Sequence, residues 1–288
     1  MSGRESPVKT IDAVPASLKA DLDRWIASSL RVDAAKFNGA LLRHKAVVAG
    51  SFCIPPVAAF LHSPVRVSPS DVDVWVAIED VQGLLSDLKT MLQSPPSWFS
   101  QKSPPVEIRS QNFELSQYRR LREDVDGIFV ISTWRSQPRV RRLLIQILVC
   151  RNLSRALASF DLNVCAVAWT GAALQIWAPH VLSGIRDGIV TVNSAALARQ
   201  NASELRRTLL RVRKYTRYGF RLDSVQPLVT ALHEHFGMEC SEGTMLCENY
   251  MAYFMDRDRR IAREDEATLG KQEERARLAR LLLRRVKV

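Results

Sequence analysis

Two carboxylates one residue apart, Asp71 and Asp73, lie in the stretch Ser70-Asp71-Val72-Asp73-Val74-Trp75-Val76, and a Gly50-Ser51 pair precedes them after the apolar run Ala46-Val47-Val48-Ala49. In a strand, residues i and i+2 project to the same side. Asp71 and Asp73 therefore point together, and Val72, Val74 and Val76 face a core. Side-by-side carboxylates repel unless a positive charge sits between them, and a divalent cation carrying a triphosphate answers that need. The chemistry such a pair serves is phosphoryl or nucleotidyl transfer. The same pair also has a plainer reading, as the wet face of an amphipathic strand. Gly50-Ser51 reads equally as a simple strand-to-helix turn.

The elements that would hold these residues follow from periodicity and punctuation. Helical patterns run over 17–30 and 34–42. A buried strand over 45–49 ends at Gly50, and Pro55-Pro56 fits the first turn of a helix over 56–62. Residues 64–69 form a loop into the Asp71 strand. Residues 79–93 are helical, with Val81, Leu84, Leu85, Leu88 and Met91 on one stripe. A Ser/Pro-rich loop fills 94–105. Strands are expected over 106–108, 128–132, 143–149, 160–169 and 173–177, in a mixed sheet. From residue 194 the pattern is helical: 195–217, 224–236, 244–255 and a charged tail. The expected class is α+β, with N-terminal helices over 1–44, a mixed-sheet domain over 45–193 and a helical domain with a basic tail over 194–288.

These pieces resemble the polymerase-beta-like nucleotidyltransferase superfamily, in its viral and eukaryotic branch. That pattern is an apolar strand, Gly-Gly or Gly-Ser, a short helix, a strand with Asp-x-Asp, and a third carboxylate on a later strand. The matching residues are Gly50-Ser51, Asp71-Val72-Asp73, and Asp161 in Ser159-Phe160-Asp161-Leu162-Asn163-Val164-Cys165, which follows the apolar Leu144-Ile145-Gln146-Ile147-Leu148. Arg211-Val212-Arg213-Lys214-Tyr215-Thr216-Arg217-Tyr218-Gly219-Phe220 looks like the helix end that closes such domains. The link from Ser51 to Asp71 is longer than is usual there. The resemblance implies that Asp71, Asp73 and Asp161 are catalytic and hold Mg²⁺ or Mn²⁺. It implies that Gly50, Ser51 and Lys214 bind the phosphates of a nucleoside triphosphate, helped by free N–H groups of the next helix. The implied reaction moves a nucleoside monophosphate to a hydroxyl acceptor, on nucleic acid, a protein or a small molecule. A silent protein of the same fold, binding nucleic acid or building a particle, is the alternative. Asp161 also reads as a partner for a nearby arginine.

Bulk composition agrees with a folded protein that meets anions. The 288 residues are 47% hydrophobic and 25% charged, with 41 Lys+Arg against 30 Asp+Glu, a formal net charge of +11. That excess favours nucleic acid as a partner. Leu205, Leu209, Val212 and Phe220 form one stripe of the helix around 204–221, and Arg206, Arg207, Arg211, Arg213, Lys214, Arg217 and Arg221 give it basic sides. The tail over 271–288 carries an apolar stripe and Arg275, Arg277, Arg280, Arg284, Arg285 and Lys287, suited to nucleic acid, a protein partner or its own domain. Tyr215 and Tyr218 suit either base stacking or packing. The five cysteines read as reduced thiols. His233, His235, Cys240 and Cys247 match no common zinc spacing. No run reaches membrane-span length. The expected setting is intracellular, cytoplasmic or nuclear, or a virion.

Overall fold

The computed structural model describes residues 9–69, 71–93, 106–110, 125–133, 144–198, 200 and 202–236. The strands are β1 (Lys9–Ile11), β2 (Val47–Ala49), β3 (Asp71–Ala77), β4 (Val106–Ser110), β5 (Val125–Thr133), β6 (Leu144–Cys150), β7 (Val167–Trp169), β8 (Leu174–Ile176), β9 (Ile189–Val190) and β10 (Arg221–Leu222). The helices are α1 (Ala16–Leu30), α2 (Ala34–Arg43), α3 (Ile54–Phe60), α4 (Val81–Gln93), α5 (Leu153–Ala158), α6 (Val181–Asp187), α7 (Ser194–Leu197), α8 (Ala202–Arg217) and α9 (Gln226–Phe236). The class is α+β with a mixed sheet, as the sequence implied.

Eight strands form one sheet in the order β1-β8-β7-β2-β3-β6-β5-β4. Within it β3 and β6 run parallel, and the other neighbours are antiparallel. β3 and β6 are central and covered on both faces over most of their length. That is why Val74-Trp75-Val76 and Ile147-Leu148-Val149-Cys150 are buried without alternation. Only the start of β3 keeps the expected two-residue period, with Asp71 and Asp73 half-buried between buried Val72 and Val74.

Local signals set the helices. α1 buries Leu18, Leu22, Ile26 and Leu30, a four-residue stripe, and ends at Arg31 in a left-handed conformation. Asp33 caps α2 by accepting from the N–H groups of Ala35 (2.9 Å) and Lys36 (3.1 Å). Leu205, Leu209 and Val212 of α8 are buried in the same core as Leu162 and Val164. β10 pairs parallel to β9, so the chain after α8 returns to the segment before α7.

Three expectations change. The strand over 160–169 is a bend followed by a 3-10 turn over Asn163–Cys165, and only Val167–Trp169 joins the sheet. The Asn163 side chain explains the detour: its Oδ1 accepts from the Thr191 N–H at 2.8 Å, which ties this stretch to the loop before α7. The helix α6, closed by Gly188 at φ 66°, was not expected. The helix over 195–217 is two helices, α7 and α8. The expected elements over 94–105 and 244–255, the tail over 271–288, Cys240 and Cys247 lie outside the described residues. No helix among the described residues is long and apolar enough to cross a membrane.

Candidate functional site

Gly50 ends β2 at φ 87° and ψ −149°, a conformation essentially reserved for glycine. The ladder sets Ala49 opposite Asp73. A Cβ on Gly50 would lie 3.6 Å from Asp73 Oδ2 and 4.0 Å from the Phe160 ring. The glycine backbone thus passes close to both the Asp73 carboxylate and the Phe160 ring. The turn over Ser51–Cys53 leads from Gly50 into α3 and packs against β3. Ser51 is half-buried, and the rest of the turn is buried.

The amides available at this turn are fewer than the sequence implied. The Cys53 N–H donates to Gly50 O at 3.2 Å, and the Ile54 N–H returns to Ser51. Pro55 and Pro56 have no N–H. That leaves the N–H groups of Ser51 and Phe52, which the turn does not use, and the Ser51 hydroxyl.

Asp71 and Asp73 face one side of β3. Across the parallel ladder to β6, Asp71 stands opposite Leu144 and Asp73 opposite Gln146. Gln146 is half-buried between buried Ile145 and Ile147. Register partners share a face of the sheet, so Asp71, Asp73 and Gln146 form one polar set on an otherwise apolar surface.

Asp161 has a different environment. Phe160 packs on Trp75, ring centroids 5.5 Å apart, and its edge lies beside Gly50. The next side chain engages α8. Asp161 is 3% exposed. Its Oδ2 accepts from Arg211 Nε at 2.8 Å, from Arg211 Nη2, and from the Thr208 hydroxyl at 2.5 Å. Asn193 fixes the backbone here, its N–H donating to Asp161 O (2.8 Å) and its Nδ2 to Phe160 O (3.2 Å). Among the described residues, no three His, Cys, Asp or Glu side chains converge on a point that could hold an ion. The structure therefore gathers Gly50, Ser51 and Asp73 with Asp71 beside them, and leaves Asp161 with Arg211.

Lys214, three residues after Arg211, sits with its Nζ 5.9 Å from the Tyr218 ring centroid. Tyr215 is buried against Tyr218 and Phe220, so it packs and does not present a face to a base. The Tyr218 hydroxyl donates to Ser68 O at 2.6 Å, and the Arg66 N–H donates to Tyr218 O at 2.9 Å. The long link between Ser51 and Asp71 thus serves to anchor the end of α8. Burial pushes the Cys53 and Cys165 thiols up to about 12, so neither is a nucleophile at neutral pH. His233 is exposed on α9.

Sequence reasoning gave Asp161 an arginine partner as one of two readings without identifying it as Arg211, and it passed over Gln146, Thr208 and Asn193. Gln146 had a visible signal, a lone amide inside an apolar strand. The others depend on contacts 33 to 50 residues apart.

No family model matches the chain, and no curated protein matches it in sequence. Solved structures with a similar outline include a CCA-adding enzyme in complex with CTP, at 13% identity and a TM-score of 0.47, covering 77% of this chain and 47% of that one. A CCA-adding enzyme in an apo form gives 14% identity and a TM-score of 0.46, covering 78% and 48%. A tRNA-processing enzyme with CTP gives 16% and 0.40, covering 66% and 43%. The chain spans about half the length of these structures.

Proposed function

We propose that the chain takes a nucleoside triphosphate together with a divalent cation in a site of nucleotidyltransferase type. Asp71 and Asp73 hold the cation, Mg²⁺ or Mn²⁺. Gly50 and Ser51 receive the phosphates. The observation that carries this reading is the glycine-only backbone at Gly50, which starts the Ser51–Cys53 turn directly beside the Asp73 carboxylate.

The donor set fits one hard cation: two carboxylates, an amide oxygen from Gln146 and a serine hydroxyl, all oxygen ligands. When bound, the cation supplies charge neutralisation to the triphosphate. Ser51 offers its hydroxyl and backbone N–H to phosphate oxygens. Phe160, packed on Trp75, supplies an apolar neighbour to Gly50. Arg211 and Asp161 hold α8 against the bend that precedes the Asn163–Cys165 turn, which sets where Lys214 stands.

The reaction this arrangement serves is transfer of a nucleoside monophosphate to a hydroxyl acceptor. The formal charge of +11 favours an acceptor on nucleic acid. A second reading, nucleotide binding in a silent protein that grips nucleic acid, is favoured by one observation: the third acid, Asp161, is already engaged by Arg211 and Thr208. The basic sides of α8 and the tail over 271–288 are the proposed nucleic-acid contacts, with the tail also offered to a protein partner.

One experiment separates these readings. The purified chain is incubated with α-labelled nucleoside triphosphates and an RNA primer, with Mg²⁺ or Mn²⁺, and both retained and incorporated label are counted. Incorporation that disappears in Asp71→Asn and Asp73→Asn selects transfer. Cation-dependent retention without incorporation selects silent binding. Label that is neither retained nor incorporated refutes the site.

A further inference from the structure

We infer that this site holds one divalent cation and not two, because the residue facing Asp73 across the sheet is Gln146. The inference rests on the nucleotide–cation reading above and concerns how much chemistry that site can run.

In-line phosphoryl displacement with two metals needs acids enough to hold a pair of divalent ions about 4 Å apart. The fold limits where such acids can come from. Asp73 lies in β3, whose neighbours are β2 and β6. On the β2 side its register partner is Ala49, which has no ligand atom. On the β6 side it is Gln146. Outside the sheet, Asp161 already accepts at its Oδ2 from Arg211 and Thr208, and among the described residues three acids do not converge.

Gln146 offers a neutral carbonyl oxygen. It adds no negative charge to offset a second cation, and its amide cannot accept the proton that an attacking hydroxyl must lose. Two carboxylates and the triphosphate are adequate for the cation that travels with the nucleotide. Among the described residues, the second cation, the one that would sit with the acceptor hydroxyl, has no charged ligand of its own. Gln146 is thus the residue that sets the site to bind a nucleotide and to turn it over poorly.

The test counts ions, so it does not depend on turnover. Mn²⁺ binding to the full chain is measured by electron paramagnetic resonance with a non-hydrolysable nucleoside triphosphate analogue present. The expected result is one Mn²⁺ per wild-type chain. Gln146→Asp and Gln146→Glu should each bind two, with the signal loss of a spin-coupled pair, while Gln146→Asn stays at one. Two ions on the wild type would overturn the inference and leave the nucleotide site standing. No nucleotide-dependent Mn²⁺ on the wild type would overturn both. An acidic variant that melts like wild type and still binds one ion would also overturn it. The wild-type count decides the matter even if neither acidic variant folds.

Discussion

Replacing Asp161 by asparagine separates a structural acid from a metal ligand. The structure gives Asp161 to α8: its Oδ2 takes two guanidinium donors of Arg211 and the Thr208 hydroxyl, and its side chain is 4% exposed. Breaking a fully buried ion pair from one side costs about 3–5 kcal/mol. The Arg211 side chain is 37% exposed, so water recovers part of its charge. The asparagine also keeps one acceptor oxygen. Together these bring the expected loss for Asp161→Asn to about 2–3 kcal/mol. For a chain of this size that lowers the melting temperature by roughly 4–8 °C. A double-mutant cycle with Arg211→Met should show a coupling of about 1–3 kcal/mol. The assay is urea unfolding followed by circular dichroism, with nucleotide-dependent Mn²⁺ binding measured on the folded variant. Cation binding should persist. An Asp161→Asn chain as stable as wild type, which has lost its Mn²⁺, would refute this reasoning and return Asp161 to the metal site.

Three further outcomes follow from other contacts. Gly50→Ala forces an L side chain into a glycine-only conformation, so it should cost about 1–3 kcal/mol and weaken nucleotide binding together, measured by melting and filter binding. Asn38 accepts the Trp169 indole N–H at 2.9 Å and donates to Asp23 at 2.7 Å; Asn38→Leu strands that indole and should cost about 1–3 kcal/mol in denaturant unfolding, with nucleotide binding unchanged. Hydrogen bonds from Arg43 and His44 hold the Asp87 carboxyl below its ordinary value and join α2 to α4. That stabilisation is fully present above the unfolded carboxylate pKa of about 4 and is lost as pH falls through the lower folded value. Asp87→Asn should therefore lower the melting temperature slightly at neutral pH, where the ion pair contributes, and converge with wild type at low pH, so that the acid limb flattens.

What the sequence revealed depended on distance along the chain. The start of β3 was legible because alternation is a local property, and Asp71 and Asp73 do share a face. The buried stripe of α8 was legible from its spacing. The Gly50 turn was legible because few residues other than glycine tolerate it. Asp161 was a different matter. Its neighbours Phe160 and Leu162 gave a strand-like pattern, yet Asn163 pulls the chain out of the ladder and Arg211, 50 residues on, takes the carboxylate. No short-range pattern encodes either event. Gln146 stood in plain view inside an apolar strand. Its meaning needed the register of β3 against β6, which closes only after β4 and β5 are placed. The proline pair after Cys53 was readable as a helix start, but the same residues also remove two of the amides that a phosphate would use.

The most direct test of the account is calorimetric titration of a nucleoside triphosphate into the folded chain, with Mg²⁺ and then with EDTA, on the wild type and on the Asp71→Asn, Asp73→Asn double variant. The account predicts one saturable site in the wild type with Mg²⁺, and no such site with EDTA or in the variant. Equal binding under all of these conditions, or none in the wild type with Mg²⁺, would contradict it.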